Sequence, residues 1–117
     1  MGSKEGKVWG ETTEFFRCQT VSAHYLDIKK GGYSSYHRHE FKANIFYIVC
    51  GSLLIEKQVG KHSDKTVLTE GQSMVIAPGI WHTFSALVDT KCIEVYQVIL
   101  VDPDIERKTV GGMVKAK

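Results

Sequence analysis

Two histidines spaced two positions apart, His37 and His39, are the residues of this sequence best suited to chemistry. On a β-strand, residues i and i+2 share a face about 6.6–6.8 Å apart, so the imidazoles of His37-Arg38-His39 can close on one cation. Imidazole nitrogen suits zinc, iron, nickel and copper. Such pairs also arise as surface accidents, so the pair alone does not establish a metal. His82 offers a third imidazole. It follows Pro78-Gly79 and heads a run in which Phe84 and Ala86 fall on its face. A buried histidine needs a partner for each ring nitrogen, and either a metal or the backbone can supply it. Glu94 is the remaining candidate. It lies between Ile93 and Val95, on the opposite face from both and on the same face as Tyr96 and Val98. Facing inward, it would be a carboxyl of raised pKa able to move protons beside a metal. Facing outward, it would be an ordinary solvated glutamate. Parity along the strand leaves both open.

The elements that must carry these residues are short β-like runs divided by turn residues. Val21–Lys29 is bounded by Gly31-Gly32, Tyr33–His39 carries the histidine pair, and Asn44–Cys50 is rich in aromatic and β-branched residues. Cys50-Gly51-Ser52 predicts a tight hairpin into Ser52–Gln58. Val59–Lys65 is polar and reads as a loop that leaves His62 solvated. Thr66–Leu68, Ser73–Ala77, Trp81–Leu87 and Lys91–Val101 follow, with turns at Glu70-Gly71, Pro78-Gly79 and Val88-Asp89. No stretch of ten residues keeps a capped helical period. Eight or nine short strands at regular spacing predict an all-β sandwich or barrel over residues 13–101. Residues 1–12 are expected to be a flexible N-terminal arm. Residues 102–117 are expected to be a polar tail whose docking on the barrel the composition leaves open.

A length of 117 residues suits one domain. Hydrophobic residues at 43% and charged residues at 24% argue against global disorder. The 15 Lys and Arg are interspersed with 13 Asp and Glu, which argues against a nucleic-acid face. No apolar run approaches the ~18 residues of a membrane span, and the polar N-terminus does not resemble a signal peptide. Cys18, Cys50 and Cys92 are widely spaced and odd in number, as expected of reduced packing residues in a cytoplasmic protein.

The histidine spacings resemble the two motifs of the cupin superfamily. The first motif runs Gly, five residues, His-x-His, three or four residues, Glu, six residues, Gly. Here Gly31, His37-Arg38-His39, Asn44 and Gly51 stand at those intervals. The second motif runs Gly, five residues, Pro-x-Gly, two residues, His. Here Gly71, Ala77-Pro78-Gly79 and His82 match, with Ala77 in place of the proline. The resemblance covers about residues 21–101. It implies a single-domain double-stranded β-helix, or jelly-roll, barrel. It further implies a divalent transition metal (Zn, Fe, Ni or Mn) held by His37, His39 and His82, with Asn44 standing where the family has a glutamate ligand. An amide oxygen can coordinate but brings no charge, so affinity should fall and bound water should become a stronger acid. Glu40 beside His39 could swing to the metal as a substitute carboxylate, but alternation points it away, as it does Arg38 and Trp81. His24 and His62 match neither motif. Tyr25, Tyr36 and Tyr47 read as packing residues that could offer hydroxyls to a ligand.

Fold does not determine function, and three readings follow. The first is a small metalloenzyme, an isomerase or a dioxygenase, acting on a small polar substrate of carbohydrate or acid type in the barrel. A short similarity between Glu94-Val-Tyr through Asp104-Ile-Glu-Arg and the end of sugar-phosphate-isomerase-related cupins tilts towards that substrate class. The second is a non-catalytic cupin that binds a sugar or small molecule, which the missing glutamate favours. The third is a metal-free barrel. The resemblance also implies a homodimer.

Overall fold

A computed structural model describes residues 3–97 and 106–114. Runs of β-branched and aromatic residues broken by glycine turns give thirteen strands and no helix among the described residues. β1 (Ser3–Lys7) and β2 (Gly10–Arg17) form a hairpin. β3 (Val21–Ile28), β4 (Gly32–Tyr33) and β5 (His37–Arg38) follow. β6 (Ala43–Cys50) is followed by the hairpin of β7 (Ser52–Val59) and β8 (His62–Thr69), and β9 (Ser73–Ile76) returns to β6. β10 (His82–Ala86), β11 (Thr90–Gln97), β12 (Glu106–Arg107) and β13 (Gly112–Met113) complete the chain.

The strands form two antiparallel sheets. The first has the order β1-β2-β3-β11-β6-β9. In the second, β10 lies at the centre, with β7 and then β8 on one side and the short β4 and β5 on the other. The chain thus crosses between the sheets at β3–β4, β5–β6, β6–β7, β8–β9, β9–β10, β10–β11 and β11–β12, as a jelly roll requires. Alternate residues turn inward. Leu26, Ile28, Phe46, Ile48 and Cys92 from the first sheet meet Leu53, Ile55, Phe84 and Ala86 from the second, all nearly fully buried. The three thiols are free.

The outward parity of the first sheet is also apolar. Phe16, Ala23, Val95, Ile45 and Val75 stand opposite one another across five adjacent strands, and Tyr25, Ile93 and Tyr47 form the next row. Phe16, Tyr47 and Val75 are exposed to solvent.

The hairpin expected at Gly51 does not form: β6 pairs with β11 and β9, β7 with β10 and β8, so the turn carries the chain from one sheet to the other, and the apolar runs on either side of it could not show that the two strands part. Gly51 has φ 103°, in the left-handed region. A Cβ there would lie 2.5 Å from Thr90 Oγ1 and 2.7 Å from Asp89 O. Thr90 Oγ1 is committed, since it accepts from Ser52 N at 3.1 Å and lies 2.9 Å from Val88 O. Gly51→Ala is expected to destabilise the chain by about 2–4 kcal/mol, from backbone strain plus the forced shift of the β11 entry. Urea denaturation checks this, and a loss below about 0.5 kcal/mol would contradict it.

Several boundaries differ from expectation. Residues 3–12, expected as part of a loose arm, form β1 and the start of β2, because Gly10–Thr12 pair with Leu26–Ile28 along the edge of β3. Val59–Lys65, expected as a loop, contains a hairpin turn and the first half of β8. Both faces there are largely exposed, which erased the alternation that marks a strand. The run Tyr33–His39 divides into β4 and β5 around Ser34–Tyr36. Residues 98–105, covering the end of the Lys91–Val101 run and the start of the tail, lie outside the described residues. The rest of the tail docks through β12 on β5 and β13 on β4.

Candidate metal centre

His37, His39 and His82 come from two places in the chain that the second sheet brings together. His37 on β5 stands directly opposite His82 on β10. The ring centroids of His37 and His82 are 4.4 Å apart, those of His37 and His39 4.9 Å, and those of His39 and His82 5.6 Å. One ligand nitrogen from each lies within 4.8 Å of the other two. Three atoms so spaced share a point no more than about 2.8 Å from each, so inward shifts of at most about 0.7 Å would bring all three to the ~2.1 Å of a metal–imidazole bond. All three side chains are buried.

The backbone has already selected which nitrogen is free. His37 Nδ1 lies 2.7 Å from the Ser35 carbonyl and His82 Nδ1 lies 2.9 Å from the Ile80 carbonyl. Each contact reaches two residues back, so the same local geometry recurs on both strands. Donation from Nδ1–H to a carbonyl fixes the tautomer and leaves Nε2 as an unprotonated donor, the usual orientation of metal-bound histidine. His82 Nε2 is buried and has no hydrogen-bond partner. Burial, with the neighbouring His82 and His39, lowers His37 from 6.5 to about 3, and burial lowers His82 as well. Neutral imidazoles are the form a metal requires.

Asn44 on β6 is also buried, and its amide is oriented. Nδ2 donates to Glu94 Oε2 at 2.7 Å, while Oδ1 is buried without a hydrogen-bond partner. An orphaned amide oxygen, an orphaned imidazole nitrogen and two further imidazoles form a donor set that fits a divalent transition metal. Glu40 is exposed on the other side of the strand and is not in the three-histidine group. Arg38 and Trp81 also face outward, with the guanidinium 5.1 Å from the indole ring centre.

Glu94 faces inward. It is 7% exposed and lines a cavity of about 340 Å³ with His37, Trp9, Thr12, Phe84 and Tyr96. Tyr96 hydrogen-bonds with it, and the Tyr96 ring packs 5.3 Å from His39. Burial raises the Glu94 carboxyl from 4.5 to about 7 against the opposing pull of Tyr96, Lys42 and Asn44. His24 lines the same cavity from β3, but its Nε2 engages Ser22 Oγ at 3.1 Å and lies 3.8 Å from Glu14. His62 is exposed at the start of β8.

These shifts predict a pH signature. Folded Glu94 keeps its proton up to about pH 7, whereas the unfolded chain releases it above 4.5. Its contribution to stability is therefore full below pH 4.5, declines between 4.5 and 7, and is flat above. Glu94→Gln removes this slope. In metal-free protein, the stability of the variant relative to wild type is expected to rise by about 3 kcal/mol from pH 4.5 to 7.5. Burial of neutral His37 acts in the opposite direction, losing stability as pH falls from 6.5 towards 3, but it cancels in the comparison. Urea denaturation at the two pH values checks it, and a difference independent of pH would contradict it.

Sequence reasoning missed Ser35 and Ile80, whose carbonyls hold the imidazoles. It also missed Tyr96 as a partner of Glu94, and Arg107, which reaches the cavity from β12. The only available signal for the first two was their position two residues before a histidine.

The cupin domain family model matches residues 24–96. No curated protein matches the chain. Among solved structures, oxalate decarboxylase from Bacillus subtilis is similar, with a TM-score of 0.81 and 16% identity, over 92% of this chain and 30% of that one. This chain thus spans less than a third of that protein, in which Mn(II) centres have been studied. A formate complex of Lactobacillus farciminis oxalate decarboxylase aligns with a TM-score of 0.79 and 16% identity, over 92% of this chain and 34% of that one. KdgF from Halomonas sp. has a TM-score of 0.69 and 22% identity, over 77% of this chain and 81% of that one. At these identities the structures speak for the fold. With most of the barrel matched by the family model, and with its strand order and motif spacings in place, the chain belongs to the cupin family.

Proposed function

We propose that this cupin is a small metalloenzyme acting on a small polar substrate, acid-like or carbohydrate-like, by proton transfer through Glu94. The observation that carries the reading is the inward, buried Glu94 carboxyl in the same cavity as His37. A stand-alone binding barrel has no need of a buried carboxyl whose affinity for protons is matched to neutral pH. At about 7, Glu94 can both take a proton from a substrate carbon and return it, the condition under which general acid–base catalysis is most efficient. His37, His39, His82 and the Asn44 oxygen would hold a divalent transition metal, which when bound polarises a substrate oxygen as a Lewis acid. Tyr96 and Asn44 hold the carboxyl in place, each through one hydrogen bond. Phe84 and Trp9 pack edge to face at 5.2 Å and form an apolar wall against water.

The test is proton NMR in deuterated water. Metal-loaded protein is incubated with a panel of α-hydroxy and α-keto acids and aldoses, and exchange of the carbon-bound proton beside the carbonyl is followed. Catalysed exchange with at least one member is expected. Saturable binding with no exchange across the panel would favour the non-catalytic alternative.

A homodimer is part of the same reading. The two outward rows of the first sheet contain no Asp, Glu, Lys or Arg. Five strands ~4.8 Å apart, with two rows covering ~14 Å of each, give an uncharged centre of roughly 330 Å², and the next row, Glu11, Asp27 and Lys91, is charged. An apolar centre with a charged rim is the pattern of an interface between two copies. Light scattering should give a dimer at micromolar concentration, and Val75→Glu should give a monomer. A wild-type monomer would contradict the reading.

A further inference from the structure

The cavity beside the candidate metal centre contains more positive than negative side chains. Arg107 on β12 and Lys7 on β1 both line it, against the single carboxyl of Glu94. The histidines add no charge when neutral, and a divalent metal would add two. Arg107 is also tied to the histidine group. It stands opposite His37 in the β5–β12 pairing, and its Nε donates to Ser35 Oγ at 3.2 Å. That hydroxyl lies 3.0 Å from His37 Nδ1. The charge of Arg107 is felt at both His37 and Tyr96, on opposite walls of the cavity. Only Nε is used in this anchoring. The two Nη groups make no hydrogen bond among the described residues.

A guanidinium anchored through Nε presents its remaining donors as a flat fork, the geometry that receives a carboxylate through two parallel hydrogen bonds. Resting on the metalloenzyme reading above, we propose that the substrate is a small carboxylic acid whose carboxylate is held by the Arg107 fork at the cavity mouth, making Arg107 the specificity-determining residue. The cavity volume of about 340 Å³ suits a molecule of this size, at the small end of ligand sites.

The test compares D-glycerate with glycerol, which share a skeleton and differ in the carboxylate, by titration calorimetry on Mn(II)-loaded protein. Metal content is read on the same samples by elemental analysis, and folding by circular dichroism. Glycerate should bind at least tenfold more tightly than glycerol. Arg107→Met should lose at least tenfold in glycerate affinity with no change for glycerol, and Arg107→Lys, which keeps the charge but not the fork, should fall between. Unchanged glycerate affinity in metal-replete Arg107→Met overturns the assignment, and so does inorganic phosphate binding as tightly as glycerate. If wild-type protein takes up neither Mn(II) nor iron, zinc or nickel, the metalloenzyme reading fails. The same comparison in metal-free protein then still decides the role of Arg107.

Discussion

His82→Ala is expected to abolish metal binding while leaving the barrel folded. His82 sits at the end of β10, fixed by the Ile80 carbonyl through Nδ1, with Nε2 buried and unpartnered. Four-ligand structural zinc sites bind with about 10–16 kcal/mol in total, so one ligand is worth roughly 3 kcal/mol, or more than a hundredfold in affinity. The metal content of purified protein should fall from about one ion per chain to below a tenth. A second readout is independent of metal analysis. At a thousandfold excess over Kd, a metal that binds only the folded chain stabilises it by about 4 kcal/mol. Wild type should show this rise in thermal stability on metal addition and His82→Ala should not. In metal-free protein the variant also loses a buried polar nitrogen, which offsets part of the cost of the small cavity it creates. Equal metal content and equal metal-induced stabilisation in the two proteins would remove His82 from the centre.

Glu94→Gln carries the second large effect. Glutamine keeps the shape and can still accept from Asn44 Nδ2, so the Asn44 oxygen should keep its orientation. It cannot take a proton. Loss of a positioned general acid–base group costs about 10²–10⁴ in rate. The proton-exchange rate should fall by that factor with metal content unchanged. Where wild-type activity rises with pH through about 7, as the carboxyl ionises, the residual activity of the variant should not. A variant with more than a tenth of wild-type exchange would contradict the assignment of Glu94 as the base.

Much of this centre was legible in the sequence because the two motifs fix distances along the chain that the jelly roll converts into proximity. Gly31, Gly51 and Gly71 all have positive φ, so the turns that set the spacing demanded glycine at those positions. The inward alternation of Asn44, Phe46 and Ile48 was equally readable. The direction of Glu94 was not, because β11 has apolar residues on both faces. Ile93 and Val95 face outward into the apolar row, so alternation could not say which side was core. The β7–β8 hairpin was obscured for the opposite reason, since its exposed polar faces leave no apolar stripe. Arg107 was out of reach, because its position depends on the pairing of β12 with β5, nearly seventy residues apart in sequence. Asn44 gained its meaning only with the structure. As a substitution in a motif it read as a ligand without charge, whereas its bond to Glu94 places a carboxylate behind the amide and leaves the amide oxygen without a hydrogen bond.

The most direct test of the account is anomalous scattering from crystals of protein purified without a metal-affinity column, with elemental analysis of the same preparation. The predicted result is one divalent transition metal per chain. The anomalous peak should lie within about 2.0–2.3 Å of one nitrogen each from His37, His39 and His82, with the Asn44 oxygen turned towards it. No peak among these residues, with none appearing after soaks in iron, zinc, manganese or nickel salts, would contradict it.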